Sequence, residues 1–124
     1  MILTRGEFFR LCFDSYGVSP DYPFEKDFET AVFRHSENKK WFALSMTVPY
    51  VKFGIDKEGN AEVVNLKIPP EMFGSFSEGE CVYPAYHMNK AHWVSVLIES
   101  ADFETVDFLL NASFFVTKPS KKKK

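Results

Sequence analysis

The spacing of apolar residues changes several times along the chain, and each change predicts an element. Phe8, Leu11, Cys12 and Ser15 recur at helical intervals, with Phe9, Phe13 and Tyr16 widening the stripe. Thr4 and Glu7 form a T-x-x-E capping box just before that stripe, Leu3 and Phe8 stand at the staple positions, and Gly17 is placed to close the helix. "VSPDYPFEKD" follows as a connecting loop, because two prolines and mixed charges support no period. From Thr30 the period shortens to two. Ala31 to His35 reads as a strand and "SENKK" as a polar turn. Phe42, Leu44, Met46 and Val48 then alternate with Trp41, Ala43, Ser45 and Thr47, which predicts a strand with one apolar and one mixed face.

The first hairpin therefore runs from Thr30 to Val48. Val51, Phe53 and Ile55 continue it as an extended arm, and "DKEGN" turns the chain. Val64, Leu66 and Ile68, alternating with Val63, Asn65 and Lys67, give a third strand and a long hairpin projecting beyond the sheet. Pro69 and Pro70 open a short helix carrying Met72, Phe73 and Phe76, which Gly79 ends. "ECVYPAY" and "HWVSVLIE" read as two further strands joined by "HMNKA". Asp102 caps a last helix whose stripe is Phe103, Val106, Leu109, Leu110 and Phe114. The element order is α-β(3)-α-β(2)-α. Short connections make the strands antiparallel and one-sided alternation asks for a single helical layer, so the expectation is an α+β fold of two layers: an antiparallel sheet with helices on one face.

Composition adds scale to this pattern. At 124 residues the chain suits one domain, placed at residues 1–117, and fourteen phenylalanines point to a core built on rings. Arg5, Glu7 and Arg10 interrupt the first apolar cluster, so it does not read as a signal peptide, and no apolar run reaches membrane-spanning length. Two isolated cysteines, Cys12 and Cys81, fit packing thiols in a reducing compartment, and a cytoplasmic location is expected. Net charge is −2 overall, but Lys118 and Lys121 to Lys124 supply five of the fifteen positive charges. Without this Lys-rich tail at 118–124, read as a disordered solvated end, ten positive charges face seventeen negative ones and the body carries −7.

Reaction chemistry is hard to find in these residues. His87 and His92 with Cys81 match no metal-ligand spacing and have no carboxylate among them, so no metal and no cofactor are expected. Cys12 lies on the apolar stripe of the first helix. Ser113 lies on the buried side of the last, where its hydroxyl can bond back to Leu109. Neither has an oriented base beside it, and Glu78 and Glu80 flank a helix exit rather than a pocket. A non-enzymatic protein is the expectation. Binding chemistry is better represented. In "YHMNKAHW", Tyr86, His87, Asn89, Lys90, His92 and Trp93 place flat polar rings beside a cation and an amide, suited to phosphate contact and base stacking. Lys39, Lys40 and Trp41, with Arg34, form a second cationic and aromatic set. Turn and packing roles would account for the same residues, since hairpin tips are ordinarily polar and a strand tryptophan ordinarily covers its sheet.

Four segments in order, "TAVFRHSENKKWFALSM", "NLKIPPEMFGSF", "AYHMNKAHWVSVLI" and "LLNASFF", resemble the MmcQ/YjbR family, the N-K-x-x-W run being the most specific of them. The resemblance spans nearly the whole chain, from the first helix to Lys118. It implies a fold similar to type III secretion chaperones and a DNA-binding protein with a double-wing motif, the wings falling on the hairpins around "SENKK" and "DKEGN". The expected function is a nucleic-acid-binding regulatory protein, with single strands preferred over duplex because the body is acidic. The alternative is a protein-interaction or chaperone-like module using an open sheet face.

Overall fold

The computed structural model describes residues 3–24, 29–69, 71, 81–85, 88 and 92–118. The first helix, α1 (Arg5–Tyr16), starts and stops where local chemistry says it should. Thr4 Oγ1 accepts from the Glu7 amide at 3.1 Å while the Glu7 carboxylate accepts from the Thr4 amide at 2.9 Å. Such a cap is worth about 1 kcal/mol. Gly17, at φ 69°, sits in the left-handed region and donates its amide to the Phe13 carbonyl. The buried stripe is narrower than its spacing suggests: Phe8 and Cys12 are buried, but Ser15 and Phe13 are exposed.

Strands β1 (Ala31–Arg34), β2 (Trp41–Pro49), β3 (Asn60–Lys67), β4 (Val82–Pro84) and β5 (Trp93–Leu97) form one sheet in the order β1-β2-β3-β5-β4. Every pairing in it is antiparallel. The last helix, α2 (Phe103–Thr117), has Asp102 at its N-cap. This is an α+β fold with both described helices on one sheet face. The short helix expected after Pro70, and its Met72, Phe73 and Phe76, lie outside the described residues.

Two features depart from simple alternation. The register passes from Phe33↔Ala43 to Arg34↔Trp41, so Phe42 is the extra residue of a β-bulge. Phe42 consequently joins Ala43 in the helix-side core, and Trp41 turns to the opposite face with Arg34 and Leu44. The expected grouping of Phe42 with Leu44, Met46 and Val48 fails for this reason. The extended arm over Val51 to Ile55 is also corrected. Pro49 ends β2, and Tyr50–Phe53 form a 3-10 turn closed by Gly54 at φ 77°. Val51 points into solvent while Tyr50 folds back under the sheet.

On the helix side, Phe8 and Phe9 meet Phe33 edge-on, with centroids 5.7 and 5.3 Å away. Tyr16 stacks on Phe114 at 3.9 Å, and Phe114 meets Phe42 edge-on at 5.0 Å. The other face is covered as well. Val32, Leu44, Met46, Val48, Val63, Trp93 and Leu97 form a second core there, against which Trp41, Phe53, Ile55, Tyr83 and Met88 pack. None of the buried members exposes more than 8% of its surface, so this face is not an open sheet. Near its centre the Ser95 hydroxyl donates to Asn65 Oδ1 at 2.5 Å, a polar pair fully enclosed between β3 and β5.

Candidate nucleic-acid interface

The turn between β1 and β2 is built from polar residues that satisfy one another. The His35 amide donates to the Lys40 carbonyl and the Lys39 amide to the His35 carbonyl, both at 3.0 Å, with Lys39 itself at φ 64°. Asn38 holds the turn from two sides. Its Oδ1 accepts from the Lys40 amide at 3.0 Å, and its Nδ2 donates to the Thr117 carbonyl at the end of α2 at 3.1 Å. Lys39 and Lys40 are exposed, and the chain then enters β2 through Trp41.

Trp41 is half-buried, and three residues define its surroundings. Arg34, its register partner, carries its guanidinium 5.9 Å from the ring centroid. Phe24 meets the ring edge-on at 5.9 Å. Asp21 accepts from Arg34 Nε at 2.9 Å and Nη2 at 3.1 Å, a bidentate pair that fixes the guanidinium plane. The Asp21 carboxylate also raises the Arg34 pKa, through its hydrogen bond first and its charge second. Asp21 and Val32 exchange backbone hydrogen bonds at 2.9 and 2.8 Å, so the loop before β1 covers the sheet's edge there. That loop leaves Phe24 38% exposed beside Trp41. The result is a patch of two rings with Arg34, Lys39 and Lys40 around it.

The second expected set fares differently. Trp93 opens β5, pairs with Lys67 and exposes 8% of its surface within the second core. Its ring therefore packs rather than stands open. His92 is exposed, whereas Tyr86, His87, Asn89 and Lys90 lie outside the described residues. Sequence reasoning named Arg34, Lys39, Lys40 and Trp41 but treated Asp21, Tyr22 and Phe24 as plain loop. The only local hint was a pair of aromatics flanking Pro23, since what brings Phe24 to Trp41 is edge pairing across the fold.

Neither candidate nucleophile is set up for catalysis. Burial pushes the Cys12 thiol far up. The Ser113 hydroxyl does not bond back to Leu109 as expected. It donates to the Phe42 carbonyl at 2.5 Å and accepts from the Lys67 amide at 2.9 Å, bridging the two backbone groups just past the last β2–β3 pair. A cavity of about 460 Å³ lies elsewhere, lined by Arg5, Glu62, Ile98 and Glu99 among others, and shares no residue with the patch. In it Glu99 accepts from the Tyr50 hydroxyl and from the Glu62 amide. Among the described residues no group of His, Cys, Asp or Glu could hold a metal ion, and no helix is long and apolar enough to cross a membrane.

The YjbR family model matches residues 14–115, which include β1, the turn, β2 and most of α2. The chain belongs to the YjbR family. A curated relative, the uncharacterized protein YyaQ of Bacillus subtilis (strain 168), is 43% identical over 118 residues, covering 94% of this chain and 100% of that protein. A crystal structure of a Pseudomonas syringae protein superimposes with a TM-score of 0.90 at 40% identity, covering 94% of this chain and all of the other. A Deinococcus radiodurans protein, DR2400, gives 0.71 at 25% identity, covering 98% of this chain and 84% of its own. The two solved structures share this fold over 94% and 98% of the chain.

Proposed function

We propose that this YjbR protein binds single-stranded nucleic acid, without catalysis, through Trp41 and the residues around it. The observation that carries the reading is the seating of Trp41 between Arg34 and Phe24, with exposed Lys39 and Lys40 immediately before it. Rings of this kind stack on unpaired bases of any sequence, and adjacent cations meet the backbone between them. An acidic body disfavours duplex, whose phosphates are packed more densely. The commitment of Cys12 and Ser113 to packing and backbone bonds supports the absence of catalysis.

The test is a titration of labelled single-stranded and duplex oligonucleotides at ~150 mM salt. Lys121 to Lys124 are replaced by alanine so that the tail cannot supply binding of its own. Single strands should bind more tightly than duplex, and Trp41→Ala should weaken single-strand binding about ten-fold, as expected for one lost stacking partner. No detectable binding by the tail-neutral protein overturns the reading. A second reading would then lead, in which the helix layer docks another protein. It is favoured by Phe13, Phe108 and Phe115, each more than half exposed on α1 or α2.

A further inference from the structure

His35 is 5% exposed, yet it stands at the joint between the turn that carries Lys39 and Lys40 and the last turn of α2. Its Nε2 lies 2.8 Å from Thr117 Oγ1. Thr117 Oγ1 donates to the Ser113 carbonyl at 2.7 Å, which leaves that oxygen to accept from His35 and makes Nε2 the protonated nitrogen of a neutral ring. Ser113 in turn holds the Phe42 carbonyl and the Lys67 amide. A single chain of hydrogen bonds therefore runs from the β1–β2 turn through α2 into the sheet. Asn38 adds a second strut from the same turn to the Thr117 carbonyl. The imidazole itself is held between two rings, Phe114 at 4.3 Å and Phe42 at 5.1 Å.

We propose that His35 is a pH-operated latch, whose protonation detaches the end of α2 from the β1–β2 turn and loosens the segment presenting Lys39, Lys40 and Trp41. A neutral ring suits this place. A second ring proton puts a full charge between two phenylalanines. Burial opposes it more than the Phe114 backbone hydrogen bond favours it, so protonation favours a state in which the turn has moved away from α2 and the ring is better hydrated. A cavity of about 200 Å³, lined by Tyr16, Val18, His35, Ser36, Glu37 and Phe114, adjoins the ring and gives water a way in. The charged neighbours come from each packed element. Glu37, on the turn, favours the protonated ring, and Lys118, at the end of α2, opposes it. From α1 comes Tyr16, whose hydroxyl donates to Asn111 and whose own pKa is pushed up to about 12 by burial, with Asp107 adding to it. From β2 comes Phe42. Burial is the largest influence on His35, and it lowers the pKa.

The latch is tested on the whole chain without nucleic acid, by following the His35 ring and the backbone amides by NMR from about pH 8 to about pH 5. As His35 titrates, the protection of the Asn38, Lys39, Thr117 and Lys118 amides relative to their intrinsic exchange rates should fall several-fold while that of Val64 and Val96 holds. His35→Gln keeps an N–H donor for Thr117 but does not titrate, and its protection should be flat with pH. Thr117→Val, which lacks the hydroxyl, should show fast exchange at neutral pH already. Titration of His35 with no change at the four amides, or an unchanged pH response in His35→Gln, overturns the latch. So does a ring that stays neutral until the whole fold melts. The effect on binding rests on the function proposed above and is read separately, by oligonucleotide titration at both ends of the pH range. A latch that opens without altering affinity removes the gating, and a latch that opens in a protein binding nothing removes the nucleic-acid reading alone.

Discussion

Trp41 and Trp93 have nearly the same local setting. Each is the first residue of a strand, each follows a basic or imidazole side chain, and each turns to the sheet face away from the helices. Both strands are second from an edge of the sheet, so their fates differ through what pairs with and covers each ring. Trp93 meets Lys67 on one side and is closed over by the second core. Trp41 faces Arg34 on the edge strand and packs against the rim of the second core, with Phe24 from the loop meeting it edge-on and part of the ring left open. Exposure of a strand-opening tryptophan is thus set by the pairing partner and by what closes over the ring: Trp41 pairs with the edge strand and stays half-buried, whereas Trp93 pairs with inner strand β3 and is enclosed.

The largest expected effect separates the two rings by stability. Trp93→Ala should cost about 3–5 kcal/mol in urea denaturation, as for other truncations of buried aromatics. Trp41→Ala removes a half-buried ring and should cost about 1 kcal/mol. Equal losses would break the comparison.

Ser113→Ala comes next. It leaves the Phe42 carbonyl and the Lys67 amide without their shared hydroxyl, at about 1–3 kcal/mol for a buried group left unpaired. Because the bulge at Phe42 is what turns Trp41 to its face, the loss should also alter Trp41 emission in a Trp93→Phe background. Trp93 emission in a Trp41→Phe background should stay the same. An unchanged midpoint would show that the hydroxyl does not hold the bulge.

The smallest effect is on pH dependence. Because the folded His35 pKa lies below its ordinary value of 6.5, the unfolded chain binds the proton more readily. Its share of stability is therefore complete above about pH 6.5 and is lost as the pH falls below that toward the folded value. Urea midpoints taken across this range should decline on the acid side in the wild type and decline less in His35→Gln. Identical slopes in the two proteins would remove His35 from the account.

Much of the fold was legible because its signals are local. The capping box at Thr4 and Glu7, the glycine at position 17 and the alternation through Val63 to Lys67 each act within a few residues, and the structure keeps all three. The middle of the chain was less legible. A bulge at Phe42 leaves no mark in composition, because the extra residue is apolar like its neighbours. The 3-10 turn at Tyr50 likewise replaces an arm that had the right residues for a strand. For the candidate site, Arg34, Lys39, Lys40 and Trp41 could be named from type and adjacency. Asp21 and Phe24 could not, since they reach Arg34 and Trp41 only through the Asp21 bridge to Val32.

By itself the sequence determined the two long helices and the extended segments of β1, β2, β3 and β5, where α1 begins and ends, that the core is aromatic, and that the body is acidic. These follow from period, capping chemistry and charge, which act at short range or simply add up. Only the tertiary structure decided which tryptophan is buried, that the second face of the sheet is covered, and that Ser113 and His35 join α2 to the hairpin. Those outcomes depend on which residues pair across strands and on groups as far apart in the chain as His35 and Thr117, whose encounter no local pattern encodes.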